Sequence, residues 1–283
     1  MKEVQNNENY HEDYSSVVTY WNKAISWTKF NQSMNCQRQL QNTILGMPSP
    51  DFVDYNYYAV LGIIVQRVFE VYFNRRLNIQ NKYRNAAFYD KLIERVWSVM
   101  SPEKDTVIYR DGETLSNLNE EVIFLSHKGF KTFSDMGVLG CTIDSEVPWR
   151  TCLRGLTLFS KVDFVHETFY GIKIFDGKSN KARGILPDQL LFNSLTALGS
   201  SKTVISAGYV YWRSGFSKED VSAPALKTFK DTKLLAQKPL FDSLQKGIKH
   251  ALPTSPSLSK CRFCKWGSLC SDSLYPSAHN TGD

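Results

Sequence analysis

The chain has 283 residues, 34 Lys plus Arg against 28 Asp plus Glu, a formal charge of +6 and 42% hydrophobic residues. That length and composition support one large or two small domains with a buried core, and exclude a collagen-like, disordered or disulfide-scaffold chain. The longest apolar run, Ala59 to Val65, is far short of the roughly 20 residues that a membrane span requires.

The first fifteen residues hold neither the apolar segment of a secretory signal nor the Arg-rich character of a transit peptide, so the expectation is a soluble, cytoplasmic protein. Residues 1–15 and 273–283 read as polar tails, and 16–272 as a single α/β domain. Its parts are a helical segment over about 16–147, a sheet core over about 148–250 and a cysteine cluster over 261–270.

In chain order, the breaker-rich stretch Gly46–Asp51 precedes a helix over Tyr55–Phe73, where Tyr58, Leu61, Val65, Val68, Phe69 and Tyr72 recur at three and four. A second helix is predicted over 86–100 and a third near Leu118–Leu125. Beyond Pro148 the texture changes, and the sheet is expected to begin there. Leu153–Val165 and Ile172–Phe175 are short β-branched and aromatic runs, joined as a hairpin through His166–Gly171. Pro187–Leu198 reads as a helix with Pro at its start, Thr203–Trp212 as another strand, and Lys230–Lys249 as one basic amphipathic helix. Pro253 and Pro256 then lead into the cysteines.

Cys261, Cys264 and Cys270 set two thiols on one tight turn and a third within reach, which suits a tetrahedral thiolate site for zinc or an iron-sulfur cluster. A fourth ligand is missing locally. Cys36, Cys141 and Cys152 are its candidates, and periodicity does not choose among them.

Asp176 and Lys178 end one predicted strand on the same side, and Asp163 ends the strand before it. Two carboxylates brought together across adjacent strands can hold a hard divalent cation such as Mg²⁺ or Mn²⁺. A lysine beside them can orient a water while charge at phosphorus is stabilised, which is the equipment of phosphodiester hydrolysis. A solvated hairpin edge is the plainer account of the same three residues.

Taken together, these residues resemble the RecB-like branch of the PD-(D/E)XK nucleases, in particular its iron-sulfur members, the CRISPR-adaptation exonucleases and AddB-type nuclease domains. Those proteins run from a serine-rich segment around a lone cysteine to a helix reading G-x-x-x-H-x-x-x-E. Strands ending G-K-h-D, where h is apolar, and D/E-x-K follow, and the chain closes with C-x-x-C-x(5)-C. Here the corresponding residues are Asn31–Cys36, then Gly62, Gln66 and Glu70, then Asp163, then Asp176 and Lys178, and finally Cys261, Cys264 and Cys270. The likeness spans about residues 30–270, and its specificity lies in the combination.

The resemblance implies a restriction-endonuclease-like core, a mixed central sheet flanked by helices. It further implies a 4Fe-4S cluster on Cys36, Cys261, Cys264 and Cys270, stapling the helical N-terminal part to the C-terminal tail and leaving Cys141 and Cys152 spare. It implies Mg²⁺ or Mn²⁺ at Asp163 and Asp176, with Gln66 or Glu70 as further ligands, and a positioning role for Lys178. Gln66 stands where the family has a metal-ligating histidine, and Ser160 where it has the glycine before the first acid. The Q-x-x-x-Y motif appears as Gln189 to Asn193, with Gln189 near the site and Asn193 in the tyrosine position.

The implied activity is a metal-dependent deoxyribonuclease, an exonuclease on DNA ends or single strands. The alternative is a weak or inactive nuclease-fold subunit that binds nucleic acid or assembles with a recombination or replication partner. Two basic runs, Arg75, Arg76, Lys82 and Arg84, then Lys227, Lys230, Lys233 and Lys238, suit backbone neutralisation, and equally suit a solvated face. Tyr209, Tyr211, Trp212 and Arg213 offer base-stacking surface on a strand of which half must face the core. No base-reading element is visible, so sequence-independent DNA binding is expected. No Walker loop occurs, so this chain is expected not to use ATP; a separate helicase or recombination partner would be natural, though the sequence names none.

Overall fold

Among the described residues, Ser26 opens the first helix by accepting a hydrogen bond from the Lys29 amide, and Cys36 ends it with an extended backbone. In the computed structural model the described residues are 24–46, 55–73, 86–102, 107–108, 114–141, 143–179, 187–246 and 252–257, with the single residues 261, 264, 266, 270, 272 and 274. They belong to two compact units built from interleaved segments. One unit takes the residues before Val53, Cys152–Leu158 and those from Lys230 onward; the other is Val53–Thr151 with Phe159–Phe229.

In the first unit, α1 (Trp27–Asn35) meets α2 (Gln37–Leu45) at Cys36, which caps the end of one and the start of the other; Gly46, left-handed at φ +62°, closes α2. Leu40 and Gln41 of α2 are buried. Gln41 Oε1 accepts from the Leu252 amide at 2.7 Å, Arg38 Nε donates to the Leu252 carbonyl at 2.8 Å, and the Arg38 amide donates to Pro253 at 3.2 Å. The stretch leading to the cysteines is thereby tied to the helix that begins at Cys36.

The second unit opens with β1 (Tyr55–Asn56), α3 (Tyr57–Phe73) and α4 (Ala86–Met100). Next come β2 (Val107–Ile108), parallel to β1, and α5 (Leu115–Asp135), whose Thr114 and Asn117 form a capping box. A five-stranded mixed sheet follows in the order β3 (Ile143–Leu153), β4 (Leu156–Thr168), β5 (Gly171–Lys178), β6 (Val204–Tyr211), β7 (Gly215–Glu219). The strand β4 is antiparallel to β5, β5 parallel to β6, and β6 antiparallel to β7. The crossover between the parallel pair is α6 (Pro187–Gly199), and α7 (Ala223–Phe229) closes the unit.

Alternation along the strands divides the core between two faces. Phe164, Phe175, Val210 and Trp212 pack with α3, α4 and α5, whereas Ile172, Ile174, Ala207, Tyr209 and Tyr211 pack with Leu190 and Ala197 of α6. The sheet is therefore flanked by helices on both sides, a mixed α/β architecture. At the β4–β5 turn Phe169 and Tyr170 stand out, 97% and 79% exposed.

Several elements differ from the sequence reading. The strand expected over Leu153–Val165 is broken by the turn at Arg154–Gly155 and continues as β4 to Thr168, so the hairpin connection shortens from His166–Gly171 to Phe169–Tyr170. The sheet begins at Ile143 rather than after Pro148, because β3 carries polar residues and a proline that mask its alternation. The helix near Leu118–Leu125 extends from Leu115 to Asp135. The single helix over Lys230–Lys249 divides into a π turn (Lys230–Leu234), a 3₁₀ turn (Leu235–Gln237) and α8 (Lys238–Gln245), which starts afresh at Pro239. Among the described residues no helix is long and apolar enough to cross a membrane.

Candidate functional site

Asp163, Asp176, Lys178 and Gln189 meet at the carboxyl end of β5, beside the parallel β5–β6 pair and the start of its crossover. The β4–β5 register runs to Phe164 opposite Phe175; extended by one, it sets Asp163 across from Asp176. There Asp163 Oδ2 accepts from the Gly177 amide at 2.9 Å. Gln189 Nε2 donates to Asp176 Oδ2 at 2.7 Å, Lys178 Nζ donates to Gln189 Oε1 at 3.1 Å, and Lys178 is also ion-paired with Asp176 Oδ1. One glutamine thus bridges an acid and a base two residues apart on the strand.

Asp176 is 2% exposed, and burial raises its carboxyl above the usual range against the pull of Lys178 and Gln189. Burial also pushes Asp163 up to about 7, with the Asp176 charge adding to the effect and the Gly177 amide and Lys178 opposing it. Lys178 Nζ lies 5.6 Å from the Tyr209 ring centroid, and Tyr209 pairs with Asp176 across β5–β6. Burial first, then the Asp176 charge, raises the Tyr209 hydroxyl, which keeps it neutral.

Gly62, Gln66 and Glu70 follow at one-turn spacing on α3. A Cβ on Gly62 would stand 3.1 Å from Ser179 Oγ, so its absence lets α3 approach the residue after Lys178. Glu70 pairs with Arg67 at 2.9 Å, and its charge is felt by Asp163. Gln66 Nε2 donates to Glu146 Oε1 at 3.1 Å, and Glu146 is ion-paired with Lys161. Glu146 is absent from the sequence reading, since an acid on a polar strand carries no periodic signal. Asn193 is buried on α6.

In the other unit the thiols of Cys36 and Cys264 lie close enough to Cys270 to oppose its ionisation, although burial is the larger cause of its raised pKa. The Cys264 amide donates to the Cys261 carbonyl at 3.1 Å, making the tight turn that the spacing predicts. All six cysteines are free thiols. Among the described residues no three His, Cys, Asp or Glu side chains are drawn together as a metal-holding group.

No family model and no curated protein matches this chain. A solved structure, the crystal structure of SSO0001, aligns over 76% of this chain and 98% of its own at 10% identity, with a TM-score of 0.30. A likeness at that level carries no argument.

Among the other predicted residues, Trp212 requires correction. It is 1% exposed and stacked on Phe69 at 4.7 Å, and Tyr209 and Tyr211 are buried too, so this set is core and offers no face for stacking bases. Arg213 pairs with Glu121 at 2.7 Å, and Lys230 lies 3.6 Å from Asp231. Arg75, Arg76, Lys82 and Arg84 lie outside the described residues.

Proposed function

We propose that this chain is a metal-dependent DNA nuclease of the RecB-like PD-(D/E)XK type, acting on ends or single strands. It stands on a restriction-endonuclease-like core and carries a 4Fe-4S cluster on Cys36, Cys261, Cys264 and Cys270. The observation that carries the reading is the linked set Asp163, Asp176, Lys178 and Gln189 at the end of β5.

The donor set fits a hard divalent cation. Two facing carboxylates share one neighbouring ammonium, and burial first, then the Asp176 charge, raises the Asp163 carboxyl, both of which a bound cation would offset. Mg²⁺ is commonly held by one or two carboxylates, with water and phosphate completing its shell. Such an ion supplies Lewis-acid stabilisation of charge at phosphorus when bound. Asp163 and Asp176 would hold it, with Gln66 as the candidate further oxygen donor; Glu70 is paired with Arg67 and, among the described residues, is not drawn into a three-acid group with them.

Lys178 orients the attacking water and stabilises charge on the phosphate oxygens through its ammonium. Gln189 keeps that ammonium beside Asp176 by accepting its proton-bearing end and donating to the acid, so the lysine is held before substrate arrives. Buried Tyr209 sets its ring 5.6 Å from the lysine ammonium, within range of a cation–π attraction. The thiol set of Cys36, Cys264 and Cys270 likewise fits a thiolate-bound cluster, which would relieve the mutual opposition of neighbouring thiolates.

End-labelled single- and double-stranded DNA incubated with anaerobically purified protein and Mg²⁺ or Mn²⁺ tests the reading. Cleavage is expected from the unaltered protein, and Asp176→Ala and Lys178→Ala should each lower it by about a thousandfold or more. Cleavage at the unaltered rate in either variant would remove that residue from the mechanism. A folded, DNA-binding protein without cleavage would leave the assembly-subunit reading.

A further inference from the structure

Three described residues other than glycine stand at positive φ: Glu146 at +56°, Arg154 at +48° and Ser201 at +62°. Arg154 turns the chain between β3 and β4, and Ser201 follows the end of α6, both ordinary places for a left-handed residue. Glu146 stands inside β3, where a residue with a Cβ resists that conformation and a regular strand does not need it. A kink of this kind re-aims a side chain, and its persistence points to what the side chain holds.

The Glu146 carboxylate is engaged at both oxygens. Oε1 accepts from Gln66 Nε2 at 3.1 Å, and Oε2 is ion-paired with Lys161. Both partners adjoin the acids: Gln66 precedes Glu70 by one turn on α3, and Lys161 precedes Asp163 by two residues on β4. An amide has a donor end and an acceptor end, and a carboxylate accepts only from the donor end. With its nitrogen committed to Glu146, the Gln66 amide has its oxygen as the remaining end.

We propose that Glu146 is a positioning residue of the cation site: by holding the Gln66 amide nitrogen it fixes the amide oxygen as a hard ligand and biases the site toward Mg²⁺. Freed from Glu146, the amide turns, and its NH₂ end repels a cation as often as its oxygen attracts one. Oxygen donors suit Mg²⁺, whereas an imidazole at this position favours transition ions. The inference rests on the nuclease reading, because that reading makes Asp163 and Asp176 ligands.

The test is calorimetric titration of the full chain with Mg²⁺ and with Mn²⁺, without DNA, alongside thermal melting of the metal-free protein. Glu146→Gly removes the carboxylate while suiting φ +56°, so it should melt no lower than the unaltered chain yet bind Mg²⁺ about tenfold or more weakly. Glu146→Gln, whose amide oxygen still accepts from Gln66, should restore most of the affinity. In a Gln66→Ala background, Glu146→Gly should change nothing further. Unchanged Mg²⁺ affinity in Glu146→Gly, with binding lost in Asp176→Ala, would overturn the inference alone. A further loss in the Gln66→Ala background would overturn it too, by making Glu146 act independently of Gln66. If the unaltered chain shows no Asp176-dependent binding of either ion, the nuclease reading falls and this inference with it.

Discussion

Asp163 carries an acid whose proton leaves near neutrality, and the sign of the consequence for stability follows from where that proton is held more tightly. Burial and the facing Asp176 raise its pKa to about 7, against about 3.9 in an unfolded chain. Between those values the folded chain holds a proton that the unfolded chain has released, so raising the pH through this window destabilises the fold. In a chelator, the melting temperature should fall by several degrees from pH 5.5 to pH 8, and Mg²⁺ should restore it at pH 8. Asp163→Asn should make the slope shallower; an unchanged slope would show that another group sets it. At this scale the sequence was informative where residue type and spacing define chemistry: Asp163, Asp176 and Lys178 were readable, and they do meet. Trp212 was misread because helices cover both faces of the sheet, so both halves of the alternating set are buried: Tyr209 and Tyr211 against α6, and Trp212, just past β6, on the α3–α5 face.

Secondary elements were legible where one physical signal ran through them. The helix over 86–100 is α4 to the residue, and the crossover helix begins at Pro187 as its proline indicates. The stretch from Lys230 was illegible as one helix because amphipathic spacing survives a change of helix type, and Pro239 is the mark that decides it. Close approach between elements is less visible still. Gly177 lies between Asp176 and Lys178 with its Cα turned to the other face, and a Cβ there would come within 2.4 Å of Trp212. Gly177→Ala must therefore push the indole or the strand aside, at about 1–3 kcal/mol. On the proposed nuclease reading, the expected result is a lower melting temperature together with a loss of cleavage out of proportion to it, since the displaced strand carries Asp176 and Lys178 on either side. Melting and cleavage measured on the same preparation distinguish this from simple destabilisation.

Across the whole molecule, the candidate catalytic side chains and the four cysteines proposed to hold a cluster fall in different compact units, each stitched from distant stretches. The first unit has polar stitches that the motifs did not announce: Arg38 and Gln41, on the helix that starts at Cys36, hold Leu252 and Pro253 ahead of the other cysteines. Gln41→Ala leaves the Leu252 amide unpaired, a loss of about 1–3 kcal/mol. On the proposed cluster reading, the variant should lose its broad visible absorbance faster in air while the proposed Asp176-dependent metal binding is unchanged. Equal bleaching rates would mean that the tie does not guard the cysteines.

The interleaving of the two units also imposes an order on synthesis. Every segment of the second unit has been translated once Phe229 is made, whereas α1 and α2 still await the residues beyond Lys230. At roughly 5–20 residues per second, the ribosome takes on the order of ten to forty seconds to travel from Gln41 to Leu252. Throughout that interval the Cys36 thiol has been made and Cys261, Cys264 and Cys270 have not, so this segment waits for its own unit to be completed while the whole of the second unit is synthesised.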